Sequence, residues 1–543
     1  MANKSTRSLS ARKELEDNLF ENISDLAASN ADENEFQELS RRYLIDDSVV
    51  FGTASFYDFT RESERNKKVR ICNGTACMVA GTQERVQQWA EGNFSKEEIG
   101  HVACVGHCHA NSAILFKGNT YSPGSEAEWK EIVKNGTHQN EIHLNYDVDC
   151  NTEPILTAPV SNPNSFFQQA ETVRRDIPKV IQELKASGLR GRGGAGFPFW
   201  FKVDAVAQEK NIQKYIVCNA DEGDPGAFSD MYLLEHQPLK VLYGMYASGI
   251  CTGANRGVLY IRGEYPNSIR ATEKAISLIE ELRLLNDFTF KVIRGQGSYI
   301  CGEETALLSS IEGLRPEVRV RPPYPAQYGL FGKPTLLSNV ETFANLHWII
   351  ENGGEKYASL GTERSSGTKL VSFDGFFNRP GMFELEMGTP LQEAVYDIGK
   401  GFNTDIKALQ IGGPLGGIVP IQKIEELTLD FESFNSAGFL LGHASFVSIP
   451  QSFPMIRYLE HLLKFTADES CGKCYPCRIG SHRGYELLKK SQHENFKIDR
   501  QLFDDLIETL ELGSLCALGG GIPLPMKNAM NYFQEELKKY FKS

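Results

Sequence analysis

No apolar run in this chain is long enough to cross a bilayer, so direct membrane insertion is not expected. The opening stretch, MANKSTRSLSARKELEDNLFENI, lacks the uninterrupted apolar core of a secretory signal and reads as a polar tail entering an amphipathic helix. Positive charge is in short supply, with 57 Lys and Arg against 70 Asp and Glu and a net charge of −13. That deficit argues against nucleic acid or an anionic lipid surface as the main partner. Internal repeats and low-complexity tracts are missing too, which leaves ordinary globular domains. A cytoplasmic protein is expected. Its 543 residues exceed one core, and about three to five domains follow from length alone.

The 41% apolar and 23% charged content is that of a folded chain. Twelve cysteines would form a disulfide framework only in a small secreted protein; here they point to metal sites. Cys150, Cys218, Cys251 and Cys301 are scattered and read as buried structural thiols. The others fall into two groups with the spacing of ligands.

Along the chain, 1–65 reads as a polar helical segment with an aromatic pair at Phe56 and Tyr57. Strands and helices alternate over 66–135: 68–72 is a strand, 83–89 a helix, and 102–104 and 112–116 bracket a cysteine loop. Rich in Asn, Thr and Pro, 136–165 reads as a linker. An α/β pattern covers 166–360, with buried strands at 215–218 and 257–261 and a helix at 270–282. The stretch 361–450 is rich in strands and glycine, including a turn at 412–417, and 451–543 is mostly helical.

Cys471, Cys474 and Cys477 sit two residues apart on one short loop and are answered by a lone Cys516. Three close thiolates and a distant fourth suit the corners of a [4Fe–4S] cube. Structural zinc, which usually takes two separated ligand pairs, is the competing reading. Cys72 and Cys77, then Cys104 and Cys108, form a second set on two loops after predicted strands. Two ligands from each loop can grip a [2Fe–2S] centre, one iron per pair or shared. Gly74, Thr75, Ala76 and Gly106 leave backbone N–H groups free to face the sulfurs. Zinc competes here as well, while a redox disulfide is disfavoured because neither spacing is Cys-x-x-Cys. His107, inside the second loop, is a possible ligand, with a bystander role favoured.

The loop GLRGRGGAGFP (188–198) packs glycines 191, 193, 194 and 196 around Arg192. Bare backbone lets N–H groups approach phosphate oxygens, and arginine adds a matched fork. No strand leads into it, so it is not a Rossmann fingerprint; a flexible surface loop is the alternative. Phe197, Trp200 and Phe201 either stack on a flat ring or anchor the loop. Asn219, Asp221, Glu222 and Asp224 form an acidic loop past a buried strand, where carboxylates accept ribose hydroxyls. The loop lacks the ligand alternation of a calcium site. A third segment joins Tyr299 and Gly302 to Glu303 and Glu304.

Together, GLRGRGGAGFP, CNADEGDPGAF (218–228), GSYICGEETALL (297–308), GLFGKPTLLSNVET (329–342), ESCGKCYPCRIG (469–480) and SLCALG (514–519) resemble the NADH-oxidising flavoprotein subunit of respiratory complex I. They equally resemble its soluble relatives, the diaphorase subunits of NAD-linked hydrogenases and formate dehydrogenases. VVFGTASFYDF (49–59), both cysteine loops and GNTYS (118–122) resemble the thioredoxin-like [2Fe–2S] subunit of the same assemblies, fused in front. The resemblance implies an α/β multidomain fold: a thioredoxin-like domain, a Rossmann-like FMN/NADH domain, a β-grasp module at 361–450 and a helical [4Fe–4S] bundle. It implies that Gly191, Arg192, Gly193, Gly194, Gly196, Lys202, Asn219, Asp221 and Glu222 hold FMN. Tyr299, Gly302, Glu303, Glu304 and Asn339 would complete the flavin and nicotinamide pocket, with Tyr299, Glu303 and Glu304 nearest the chemistry. Phe197 and Tyr324 would face the NADH adenine, and the two cysteine sets would carry the clusters.

The chain departs from the family where Phe199-Trp200 replaces a small Thr-Gly pair, adding bulk beside the pocket, and where Asp224, an expected NADH contact, replaces Glu. The acids Asp221, Glu222 and Asp224 would repel a 2′-phosphate, which favours NAD over NADP. No cysteine follows Cys516, so a ferredoxin-like extension is not expected. The implied activity is hydride transfer between NADH and FMN, then single-electron transfer into the clusters. Implied partners are an iron–sulfur relay subunit and a hydrogenase, formate dehydrogenase or quinone-linked catalytic subunit. An electron-bifurcating subunit and a non-catalytic, cluster-bearing assembly protein are the competing readings.

Overall fold

The computed structural model describes residues 14–136, 144–493 and 495–542. The expected tail at 1–13 and part of the expected linker, 137–143, lie outside them. Three short helices, Leu19–Ala28, Glu33–Arg42 and Asp47–Ala54, lead the described chain. Asn18, Asp32 and Asp46 cap them by accepting first-turn N–H groups, the local chemistry that starts a helix. Phe36, Tyr43 and Val50 fill the space between them.

The first sheet holds β1 (Val69–Cys72), β2 (Ile99–Val102), β3 (Ile114–Phe116) and β4 (Asn119–Tyr121), in the order β2-β1-β3-β4. β1 runs parallel to β2 and antiparallel to β3. Trp129, on the helix Glu126–Asn135, closes its core against Val69, Ile71 and Ile114. This is the expected thioredoxin-like domain.

The segment read as a linker instead carries β5 (Asp147–Cys150). The flavin-type domain follows as a four-stranded, all-parallel sheet of β6 (Tyr215–Ala220), β7 (Arg256–Ile261), β8 (Thr289–Arg294) and β9 (Thr335–Asn339), in the order β8-β7-β6-β9. Every residue of the helix Pro238–Thr252 from Lys240 onward is buried behind it, as a parallel sheet covered on both faces requires. The third sheet contains β10 (Thr368–Phe373), β11 (Gly381–Glu386), β12 (Ile406–Ile411), β13 (Gly417–Pro420) and β14 (Ser445–Pro450), in the order β13-β12-β14-β10-β11-β5. The helices Met455–Asp468, Ser481–His493, Arg500–Gly513 and Pro523–Tyr532 form the C-terminal bundle.

The chain around β5 is not slack. β5 pairs parallel with β11 as the edge of the third sheet, so its polar alternating sequence hides a strand. Just beyond it, the fully buried Glu384 accepts the N–H groups of Ile155, Leu156 and Thr157, each at 2.9 Å. From the other side, Lys240 donates to the carbonyls of Ile155 (2.8 Å) and Leu156 (3.0 Å). A buried carboxylate and a buried ammonium thus take the place of ladder hydrogen bonds for this stretch. A buried ion pair, Lys369 with Glu341, ties β10 to the flavin-type domain. Replacing Glu384 with Gln turns an NH2 donor toward N–H donors, leaves at least one of them unsatisfied, and removes about 2–3 kcal/mol. Amide exchange at Ile155, Leu156 and Thr157 should then quicken roughly 30- to 150-fold; exchange at the wild-type rate would contradict the clamp.

Candidate functional site

In an open parallel sheet, ligands settle at the carboxyl ends of the strands where the chain reverses its direction of growth. Here that point lies between β6 and β9, because β7 and β8 extend one side of β6 and β9 the other. A cavity of about 680 Å³ opens there. Asn219, at the end of β6, and Asn339, at the end of β9, both line it. Asn219 donates to the Gly302 carbonyl at 2.8 Å, and Asn339 caps the next helix while donating to Asp230 at 2.6 Å.

The glycine loop forms one wall through Gly191 and Gly193. A Cβ on Gly193 would stand 3.0 Å from Asn339 Cβ, so the bare backbone is what leaves room. Lys202 Nζ reaches into the cavity, 3.3 Å from Glu304 Oε2 and 3.2 Å from the Leu337 carbonyl. Arg321 holds the other Glu304 oxygen at 2.6 Å. Glu303 caps the helix Glu304–Ile311, accepting the N–H groups of Thr305 and Ala306 at 2.9 Å. Phe197, Phe201 and Tyr324 stand exposed at the mouth. Bare N–H groups, two cations and flat apolar walls match a phosphate-bearing isoalloxazine, so the cavity fits FMN with space for a nicotinamide.

Of the expected residues, Gly191, Gly193, Phe197, Lys202, Asn219, Gly302, Glu303, Glu304, Tyr324 and Asn339 meet in this cavity. Arg192, Gly194, Gly196, Asp221, Glu222, Asp224 and Tyr299 do not line it. Arg192 is fully buried and turns back to donate to Tyr357 Oη (3.1 Å) and the Ser366 carbonyl (2.6 Å). Glu222 caps the helix Ser229–His236 through the N–H groups of Asp230 and Met231. Asp224 is occupied by Tyr299 Oη at 2.5 Å and His443 Nε2 at 2.6 Å. Burial pulls the His443 pKa down, but the Asp224 carboxylate outweighs it and the net shift is upward. Asp221 faces a separate, small pocket, where burial drives its pKa far up. Of the three acids expected to repel a 2′-phosphate, Glu222 and Asp224 are engaged by groups of the fold, and Asp221 faces away from this cavity. The added bulk also divides: Phe199 forms part of the wall, whereas Trp200 packs outside under Lys185, and the cavity stays open. Arg321 and Thr342 were not foreseen; Arg321 carried a weak signal, a cation directly before two prolines and Tyr324.

Cys72, Cys77, Cys104 and Cys108 are all buried where the ends of β1 and β2 meet. Cys104 and Cys108 Sγ lie 3.7 Å apart. Hydrogen bonds from the Cys108 and Cys72 thiols hold Cys104 well below its ordinary pKa, the behaviour of thiols crowded to share negative charge. Backbone N–H groups of Gly74 (3.3 Å), Gly106 (3.4 Å) and Gly226 (3.2 Å) donate to Sγ of Cys72, Cys104 and Cys108. Four soft donors ringed by N–H groups fit a [2Fe–2S] centre. His107 turns away to Ser122 at 2.7 Å, a bystander's place.

Cys471, Cys474, Cys477 and Cys516 gather beside Ile300, Val318, Phe465 and Leu518. Burial pushes the Cys477 thiol up to about 11 and that of Cys516 up to about 12, so metal binding here must release protons. No group of three or more His, Cys, Asp or Glu side chains among the described residues is arranged around one metal ion. Cys516 and Ala517 also line the flavin-type cavity, so this cysteine group and that cavity share a wall.

The family described as Nuo51 FMN-binding domain matches residues 184–348. NADH-ubiquinone oxidoreductase-F iron-sulfur binding region matches 457–540, and thioredoxin-like [2Fe-2S] ferredoxin matches 30–137. The alpha subunit of the NAD-reducing hydrogenase HoxS of Cupriavidus necator is 31% identical over 526 residues, covering 89% of this chain and 85% of that one. The chain belongs to the flavin and iron–sulfur family shared by these hydrogenases and NADH-quinone oxidoreductase. HndC, from the NADP-reducing hydrogenase of Solidesulfovibrio fructosivorans, is 40% identical, covering 67% of this chain and 76% of its own length. The matching component of Salmonella typhimurium NADH-quinone oxidoreductase is 36% identical, at 75% and 94% coverage. A crystal structure of an NAD+-reducing [NiFe]-hydrogenase in the air-oxidized state superposes with a TM-score of 0.87 at 26% identity, covering 99% of this chain and 95% of that one. For a member of this family, Lys202→Met should weaken FMN retention roughly 10- to 100-fold, the worth of one charge-assisted hydrogen bond. Flavin released after desalting and denaturation measures it, and wild-type flavin content would contradict the placement of Lys202.

Proposed function

We propose that this protein is the NADH-oxidising, or NAD-reducing, diaphorase subunit of a heteromeric redox complex. It holds FMN in the cavity between β6 and β9, a [4Fe–4S] cluster on Cys471, Cys474, Cys477 and Cys516, and a [2Fe–2S] cluster on Cys72, Cys77, Cys104 and Cys108. The wall shared by the cavity and Cys516 is the observation that carries this reading. Bound there, FMN supplies the conversion between a two-electron hydride donor and one-electron iron–sulfur centres.

The residues supply position and charge rather than an acid–base pair. Lys202 and Arg321 bracket Glu304 and keep positive charge in the cavity. Glu303 is fixed by its helix cap, so its carboxylate faces the cavity in one orientation. Phe199 closes the inner wall against water, while Phe201 and Tyr324 at the mouth offer faces for the flat rings of a dinucleotide.

Electrons need a way out, and the surface over the cube motif is apolar. Tyr475 is 74% exposed, Ile479 49%, Leu512 77% and Leu515 44%. Such a patch beside a redox site suits a partner subunit. An iron–sulfur relay subunit, with a hydrogenase or formate dehydrogenase catalytic subunit beyond it, fits this role. Among the described residues no helix is long and apolar enough to cross a membrane; we place the complex in the cytoplasm.

Anaerobic titration of purified protein with NADH should bleach the flavin and raise two distinct reduced-cluster EPR signals, with about six irons per chain. Clusters that dithionite reduces and NADH does not would refute the hydride-accepting role.

A further inference from the structure

The [2Fe–2S] cradle is not completed by its own domain. Gly226 N–H, which reaches Cys108 Sγ at 3.2 Å, comes from the acidic loop after β6. Arg262, directly after β7, comes from the same flavin-type domain. Its Nη2 donates to the Cys104 carbonyl at 2.7 Å and to Glu264 Oε1 at 3.0 Å, and its Nη1 donates to the Glu222 carbonyl. Arg262 is 3% exposed and Glu264 4%, so the pair is fully desolvated. Asp58, Asp221 and Glu469 face the same small pocket, and Arg262 is the one cation lining it among the described residues. The cysteine loop fits closely against this surface: a Cβ on Gly106 would stand 2.9 Å from both Met231 Sδ and Tyr265.

We propose that Arg262 is the positioning residue that sets the reduction potential of the [2Fe–2S] centre, so that the flavin-type domain tunes the cluster docked on it. Reduction adds one electron, and one negative charge, to the cluster. A buried cation touching the backbone of a ligating cysteine favours the reduced form, and the effect is strong because water does not screen it. Glu264 bonds the same Nη2 that donates to the Cys104 carbonyl and partly cancels its charge. Placing this control outside the thioredoxin-like domain means that only a chain with both domains docked has the working potential.

The inference rests on the assignment of Cys72, Cys77, Cys104 and Cys108 to a [2Fe–2S] cluster, and the test separates the two. The reconstituted full chain is titrated with dithionite under anaerobic conditions, and EPR follows both clusters. Glu264→Gln leaves Arg262 without its counter-charge and should move the [2Fe–2S] midpoint to more positive potential. The double variant Arg262→Gln, Glu264→Gln removes the nearer cation with its partner and should move it to more negative potential. Arg262→Lys keeps the charge and should leave it near the wild-type value. The [4Fe–4S] midpoint should move less in all three, since only Glu469, two residues before Cys471, lines the same pocket. A [2Fe–2S] signal whose midpoint is unmoved by the first two variants, or a [4Fe–4S] midpoint that shifts as far or further, would overturn the role of Arg262. Should the double variant not fold, Glu264→Gln decides alone. A wild-type chain without a [2Fe–2S] signal would overturn the cluster assignment, and this inference with it.

Discussion

One parallel sheet has to serve three cradles, and that constraint organises the molecule. Strands of a parallel sheet all end on the same side, so their following loops converge. The end of β6 sends Asn219 to the flavin-type cavity and, further along the same loop, Gly226 to a cysteine sulfur of the first domain. The end of β7 sends Arg262 to the carbonyl of another of those cysteines. The loop after β8 puts Tyr299 against Phe465, beside the cube motif, with its N–H on Glu469 at 2.8 Å. β9 ends in Asn339, beside Asn219 in the same cavity. Electron transfer weakens steeply with distance, so gathering the cradles at one sheet edge is what makes a relay possible in a chain of this size.

The same arrangement explains why charge is buried so freely. Taking Arg262, Glu264, Glu384 and Lys240 out of water is costly unless each is paired or hydrogen-bonded. Each is: Lys240 by two carbonyls, Glu384 by a row of N–H groups, and Arg262 by two carbonyls and Glu264. These contacts join segments far apart in sequence. They act as fasteners between domains, where an apolar surface would slide.

Much of this was legible in the residues. The thiolate spacings sorted the eight cysteines into the same two groups that the fold brings together, and the glycine loop, Lys202 and the Glu303–Glu304 pair pointed to one pocket because their chemistry is local. The loops carrying Asp221, Glu222 and Asp224 were found, but not their work. A carboxylate in a loop looks the same whether it accepts a ligand's hydroxyl or caps a helix, and only the tertiary position of Ser229–His236 and His443 tells these apart. β5 was hidden because an edge strand needs its backbone paired and not its side chains buried. Arg262 escaped notice since nothing in its neighbourhood along the chain mentions cysteine; its partner Cys104 lies in another domain.

The central claim is that the flavin and the cube share a wall at Cys516 and that the second cluster sits across the sheet edge. Its most direct test is an anomalous-scattering structure of the anaerobically reconstituted holoprotein at the iron edge. The account predicts iron at both cysteine sets and flavin density in the cavity lined by Gly193, Lys202, Asn339 and Ala517. Iron at only one set, or flavin bound in the groove beside Phe166 and His347 instead, would contradict it.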